Sequence, residues 1–152
     1  MTEAAPKLIA DPKQRGILIV EDEFGPREAM RYVLKSRAYV NMHFAQNGQE
    51  ALDKLAALGS QIYLILLDIR MPVMDGMTFL RHLAGDCQCP VGVIAATGFP
   101  SQDGKREFLE AATPNVLALD YISKPFELTG ILDSVARSLD RIHAQREAAT
   151  AG

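Results

Sequence analysis

The chain has 152 residues, a length that suits one domain with a tail at each end. Its 48% hydrophobic and 23% charged residues are those of an ordinary globular protein, and a formal charge of −3 supplies no broad basic field for direct nucleic-acid binding. No apolar run approaches the ~20 residues of a membrane helix, and the polar, proline-containing start lacks the apolar core of a signal peptide, so a cytoplasmic protein with no membrane partner is expected.

Residues 1–15 read as a disordered lead-in, 16–142 as the folded domain, and 143–152 as a tail that can extend the last helix. Gly16 to Val20 is a β-branched apolar run without polar alternation, the pattern of a strand buried on both faces. Pro26 suits the first turn of a helix, and Ala29, Met30, Val33 and Leu34 form its apolar face. Val40 to Ala45 is the second strand. Asn47, with Glu50 three residues on, starts a helix that Gly59 ends. Ile62 to Leu67 is the strongest strand, followed by a loop from Asp68 to Gly76. Met77, Leu80 and Leu83 mark a short helix, Val91 to Ala96 a fourth strand, residues 104–112 a short helix, and Leu117 to Ile122 a fifth strand. From Glu127, the apolar positions Leu128, Ile131, Leu132, Val135, Leu139 and Ile142 mark a long final helix. Buried strands alternating with amphipathic helices give an α/β architecture, (βα)5, with a doubly wound parallel sheet. Strand order 2-1-3-4-5 is a common solution for such sheets.

Two cysteines, Cys87 and Cys89, have no second Cys or His pair to complete a zinc site and read as reduced thiols. His43, His82 and His143 are scattered and read as structural or surface residues. A dinucleotide binder would carry G-x-G-x-x-G after the first strand. Here that place holds Glu21-Asp22-Glu23, which repels phosphate unless a cation intervenes.

In open α/β sheets the site lies beyond the carboxyl ends of the strands, where strand order reverses. Strand 1 ends in Glu21 and Asp22, strand 3 in Asp68, strand 4 at Thr97, and strand 5 near Lys124. Neighbouring strands lie about 4.8 Å apart. Two carboxylates at ~4 Å repel by roughly 4 kcal/mol at an effective dielectric of 20. A hard divalent cation with oxygen ligands compensates such a cluster, and Mg2+ typically takes one or two carboxylates, waters and a phosphate oxygen. A carboxylate can attack phosphorus and hold it as an acyl phosphate. Asp68 is then the nucleophile, bridged by the metal to one phosphoryl oxygen, with Lys124 and the Thr97 hydroxyl on the others.

At these residues the sequence resembles the response-regulator receiver domains of bacterial two-component phosphorelay signalling. The resemblance rests on Ile17 to Glu23, on Leu66-Leu67-Asp68-Ile69-Arg70-Met71-Pro72-Val73-Met74-Asp75-Gly76, on Ala95-Ala96-Thr97-Gly98, and on Tyr121-Ile122-Ser123-Lys124-Pro125-Phe126, covering about residues 16–140. It implies the flavodoxin-like receiver fold. It also implies Asp68 as phosphoacceptor, Glu21 and Asp22 as organisers of Mg2+ (or Mn2+), and the main-chain carbonyl of Arg70 as the remaining protein ligand. Thr97 and Tyr121 are the implied switch pair, repacking the face around the fourth helix, fifth strand and fifth helix. Lys124–Pro125 is often cis in the family. The implied partners are a histidine kinase or histidine phosphotransfer protein and a downstream protein target, with a homodimer left open.

The chain departs from the family in the span from Thr97 to Lys124, which is longer than usual, and in Leu117-Ala118 where Gly-Ala is usual. A short or displaced fourth helix follows. Thr97-Gly98-Phe99-Pro100 partly resembles the motif of stand-alone single-domain receivers. Bulky Arg70 and Phe99 flank the site where water access is tuned, which implies a long-lived phosphoryl group.

Two other functions compete. A haloacid-dehalogenase-type phosphatase wants a second Asp two residues after the nucleophile, where Arg70 stands. A phosphorylation-independent interaction module has no need of the Glu21, Asp22, Asp68, Thr97 and Lys124 set. The expected activity is a receiver that assists its own phosphorylation and dephosphorylation, not a turnover enzyme. Its output is protein contact or phosphate relay.

Overall fold

The structure is a computed structural model, and it describes residues 6–71, 73–87 and 89–151. Pro72 of the expected loop and residues 1–5 of the lead-in lie outside the described residues. Five parallel strands, β1 (Gly16–Val20), β2 (Met42–Ala45), β3 (Ile62–Asp68), β4 (Val91–Thr97) and β5 (Val116–Ser123), lie in the order 2-1-3-4-5. Between and after them run α1 (Phe24–Ser36), α2 (Gly48–Leu58), α3 (Gly76–Asp86), α4 (Gln102–Glu110) and α5 (Leu128–Ala151). This is the expected (βα)5 doubly wound sheet.

The fold follows from which faces are apolar. Every residue of β1 and β3 is buried, because helices cover both sides of the sheet centre. Leu34 of α1 and Ile131, Val135 and Leu139 of α5 pack with Ile17, Ile19, Leu64 and Ile94 on one face. Ala51 of α2, Phe79 and Leu80 of α3 and Phe108 of α4 pack with Leu18, Val20, Ile65 and Val93 on the other. Three helix starts carry side-chain caps. Asn47, Asp75 and Ser101 each accept a backbone N–H from three residues on.

Several boundaries differ from expectation. β2 begins at Met42, because the Val40 N–H is spent on the Lys13 carbonyl and its side chain faces solvent. α4 begins at Gln102 behind its Ser101 cap and has only nine residues, the short helix that the unusual span implied. β5 begins at Val116 and ends at Ser123, one residue beyond expectation at each end, and it carries a register shift. Val93 pairs with Ala118 and Ile94 with Asp120, so Leu119 is a bulge residue.

The expected disorder of the lead-in does not extend to residues 7–15. Tyr63 Oη accepts the Ile9 N–H at 2.8 Å and donates to the Lys7 carbonyl at 3.0 Å. Buried Arg15 holds the Ile9 carbonyl and Asp140. The tail expected from residue 143 continues α5 without a break, and its Arg146 is fully buried. Among the described residues no helix is long and apolar enough to cross a membrane.

Candidate functional site

Parallel strands send all their carboxyl ends to one edge, so the residues just past β1, β3, β4 and β5 meet there. Lys124 Nζ lies 2.6 Å from Glu21 Oε1 and 3.5 Å from Asp68 Oδ2. Glu21, Asp22 and Asp68 each place one carboxylate oxygen within 4.8 Å of the others. Lys124–Pro125 is cis, in line with the resemblance.

The surrounding backbone holds this cluster. Arg70 N–H donates to Asp68 Oδ1 at 3.2 Å. Arg27, one helical turn into α1, donates through Nη1 to the Glu21 carbonyl at 3.0 Å and more distantly to that of Asp22. The sequence does not assign Arg27 this role, because it depends on where the side chain turns. Gly76 bonds the Ile69 carbonyl at 2.9 Å, and a Cβ there would stand 2.8 Å from Ile69 Cα and 2.9 Å from the Asp68 carbonyl oxygen. Glycine is therefore required for α3 to start this close to the Asp68 turn.

Electrostatics at the cluster are uneven. Burial and then the shared position with Glu21 push the Asp68 carboxyl up to about 7, although Lys124 pulls the other way. Burial alone would raise Glu21, but hydrogen bonding to Asp68 and Lys124 outweighs it and Glu21 lies below its usual value. Burial opposes the charge on Lys124, but its contacts with Glu21 and Asp68 prevail and raise it. Asp22 Oδ1 is buried without any hydrogen-bond partner. An orphaned carboxylate oxygen beside two more fits a hard cation. Oxygens on one Mg2+ at about 2.1 Å span at most about 4.2 Å, close to the spacing here.

Thr97 is buried, and its Oγ1 accepts the Phe99 N–H at 3.1 Å, which leaves its own proton free to donate. Arg70 is exposed, and its guanidinium lies 4.2 Å from the Phe99 ring centroid. Tyr121 lies farther back on β5, half-buried against Phe108 with centroids 6.0 Å apart, and its hydroxyl reaches Gly104 of α4. Thus Glu21, Asp22, Asp68, Thr97 and Lys124 share one edge, while Tyr121 faces the underside of α4.

The family profile described as response regulator receiver domain matches residues 17–136, and the chain belongs to that family. A curated relative is the protein-glutamate methylesterase/protein-glutamine glutaminase of Archaeoglobus fulgidus, 34% identical over 125 residues, which are 82% of this chain and 34% of that protein. This chain spans about a third of the length of the methylesterase relatives it matches. Among solved structures, a CheY-like response regulator receiver domain protein from Methanospirillum hungatei matches with a TM-score of 0.75 and 25% identity, covering 86% of this chain and 98% of that one. The receiver domain of a signal transduction histidine kinase from Syntrophus aciditrophicus matches with a TM-score of 0.68 and 30% identity, covering 82% and 89%. The chain is a receiver domain of two-component signalling with the flavodoxin-like receiver fold.

Proposed function

We propose that this receiver is a phosphoacceptor switch in which Asp68 takes a phosphoryl group from a phosphohistidine donor. The observation that carries this reading is the position of the Asp68 carboxylate, buried between a lysine ammonium and two further carboxylates, one with an orphaned oxygen. Glu21, Asp22, Asp68 and the Arg70 carbonyl would hold Mg2+, or Mn2+. That ion supplies neutralisation of the acid cluster and of charge on the transferring group.

An Asp68 carboxylate oxygen forms a bond to phosphorus as the phosphorus–nitrogen bond of the donor breaks, and the imidazole leaves with the electron pair. Lys124, already 3.5 Å from Asp68, stabilises the added charge. Thr97 donates its free hydroxyl proton to a phosphoryl oxygen. That movement loosens the segment above Tyr121, whose ring repacks and carries the change to α4. The chain assists gain and loss of its own phosphoryl group and does not turn over a separate substrate.

Acting in the cytoplasm, it has as partners a histidine kinase or histidine phosphotransfer protein and a downstream protein target, and its output is protein contact or relay. Treatment with a small phosphodonor such as acetyl phosphate in Mg2+ tests the reading. Wild type is expected to gain one phosphoryl group by intact mass, and Asp68→Asn to gain none. Equal labelling of the variant overturns the assignment.

A further inference from the structure

Cys87 and Cys89 take no part in the acid site, yet both line one cleft of about 530 Å3 between α2 and α3. Half-buried Leu52 and Leu55 of α2 form its facing wall. The lining reaches Ile62 and Val91, the first residues of β3 and β4, so the cleft lies at the amino ends of the strands, opposite Asp68. These are the chain's two cysteines, both free and partly exposed. Cys87 Sγ donates to the Cys89 carbonyl at 3.0 Å, which brings the first thiol within one residue's reach of the second. Asn115 Nδ2 donates to the Cys87 carbonyl at 3.2 Å and steadies the turn from its other side.

The charge beside this pair is unbalanced. Arg146 is fully buried and donates only to main-chain carbonyls, among them that of Pro90, the residue after Cys89, at 2.9 Å. Among the described residues no carboxylate pairs with it. Buried charges are ordinarily paired or tied to a metal. An anionic centre at the two sulfurs would complete the pair. Burial pushes both thiols above their usual value while Arg146 pulls the other way, so each keeps its proton until a stronger acid replaces it.

Ligand type selects that acid. Sulfur suits soft ions and leaves hard ones such as Mg2+ to oxygen. Among the described residues no third Cys, His, Asp or Glu joins the pair, whereas a structural Zn2+ takes four ligands. Monovalent copper is soft, and its filled d shell accepts two thiolates in a line. Two thiolates on one Cu+ leave a single negative charge, which the Arg146 guanidinium balances.

We propose that Cys87 and Cys89 form a binding site for a soft monovalent metal ion, Cu+, with Arg146 as its counter-ion. On binding, each sulfur gives its proton to water and forms a bond to the metal, and no electron is transferred. The site shares no residue with the Asp68 cluster, so it is tested apart from the phosphoacceptor reading.

The experiment is an anaerobic titration of the full, reduced chain with Cu+ in competition with bicinchoninate, the bound metal being counted by native mass spectrometry. The expected result is one Cu+ per chain, held against the chelator and lost in Cys87→Ser and in Cys89→Ser. Relative to the metal-free chain, Cu+ is expected to block alkylation of both wild-type thiols by iodoacetamide, and Zn2+ to leave it unchanged. Chelator competition and thiol protection are both read in the wild type, and decide the matter even where a variant folds poorly. Complete loss of Cu+ to the chelator, one ion per two chains, metal retained by either serine variant, or equal protection by Zn2+ overturns the proposal.

Discussion

Asp68 is the residue with most at stake, because its ordinary charge state is the one its surroundings resist. Its folded-state pKa of about 7 lies above the unfolded value of 3.8. The metal-free fold therefore binds this proton more tightly than the unfolded chain. That stabilisation is fully present below the unfolded pKa and is lost as pH rises toward 7. Asp68→Asn removes the conflict. At pH 8 without metal the variant is expected to be more stable than wild type by about 1–3 kcal/mol, with the gap closing toward pH 4. Urea denaturation in chelator across that range measures it. Millimolar Mg2+ is expected to stabilise wild type by about 1–3 kcal/mol and Asp68→Asn far less. At the rim, the Arg70 guanidinium lies 4.2 Å from the Phe99 ring centroid, and we propose that this pair shields Asp68 from water. Phe99→Ala is expected to leave phosphorylation intact and shorten the lifetime of the phosphoryl group several-fold in a dephosphorylation time course. A wild-type half-life of seconds would count against that shielding. The acids, Thr97 and Lys124 were legible because each ends a strand and strand ends converge by topology. The orphaned Asp22 oxygen and the Arg27 clamp were not, since both depend on where a side chain turns after the strand has ended.

At the scale of elements, α4 is the piece most lightly attached. Phe108 is its buried residue, its Ser101 cap is exposed, and its ion pair from Glu107 to Arg81 is solvent-screened. Tyr121 sits beneath it against Phe108, with its hydroxyl beside Gly104, so we propose that turning of the ring is coupled to this helix. Phe108→Ala is expected to cost about 3 kcal/mol and to keep phosphorylation at Asp68. It is also expected to abolish the phosphorylation-dependent change at the Tyr121 ring protons, as followed by NMR. Unchanged Tyr121 behaviour in the variant would separate the switch from α4. Element types and order were readable because burial leaves long apolar runs in strands and 3.6-residue stripes in helices. The Leu119 bulge was not, because a bulge is a property of pairing between β4 and β5 and leaves no mark on β5 alone.

Across the whole molecule, the edge opposite Asp68 is locked by a fully buried cation, Arg146. Arg146 gives Nε to the Pro90 carbonyl, Nη2 to that of Ile62, and Nη1 to those of Lys7 and Ser60, with its guanidinium 4.0 Å from the Tyr63 ring centroid. It joins the end of α5, the starts of β3 and β4, and the segment before β1. Its position was visible in the sequence, since it continues the stripe of Val135, Leu139 and Ile142 by one further turn. Its charge argued for the surface, and only the four carbonyls gathered from three segments reverse that expectation. Arg146→Ala leaves those carbonyls in a closed site, and is expected to cost about 3–5 kcal/mol in urea denaturation. Arg146→Lys is expected to recover only part, because a compact ammonium cannot fork to carbonyls on separate segments. Both variants should still accept a phosphoryl group at temperatures where they remain folded, since Asp68 lies at the far end of β3. Loss of phosphorylation in a folded Arg146→Lys would instead show that the two edges of the sheet are coupled.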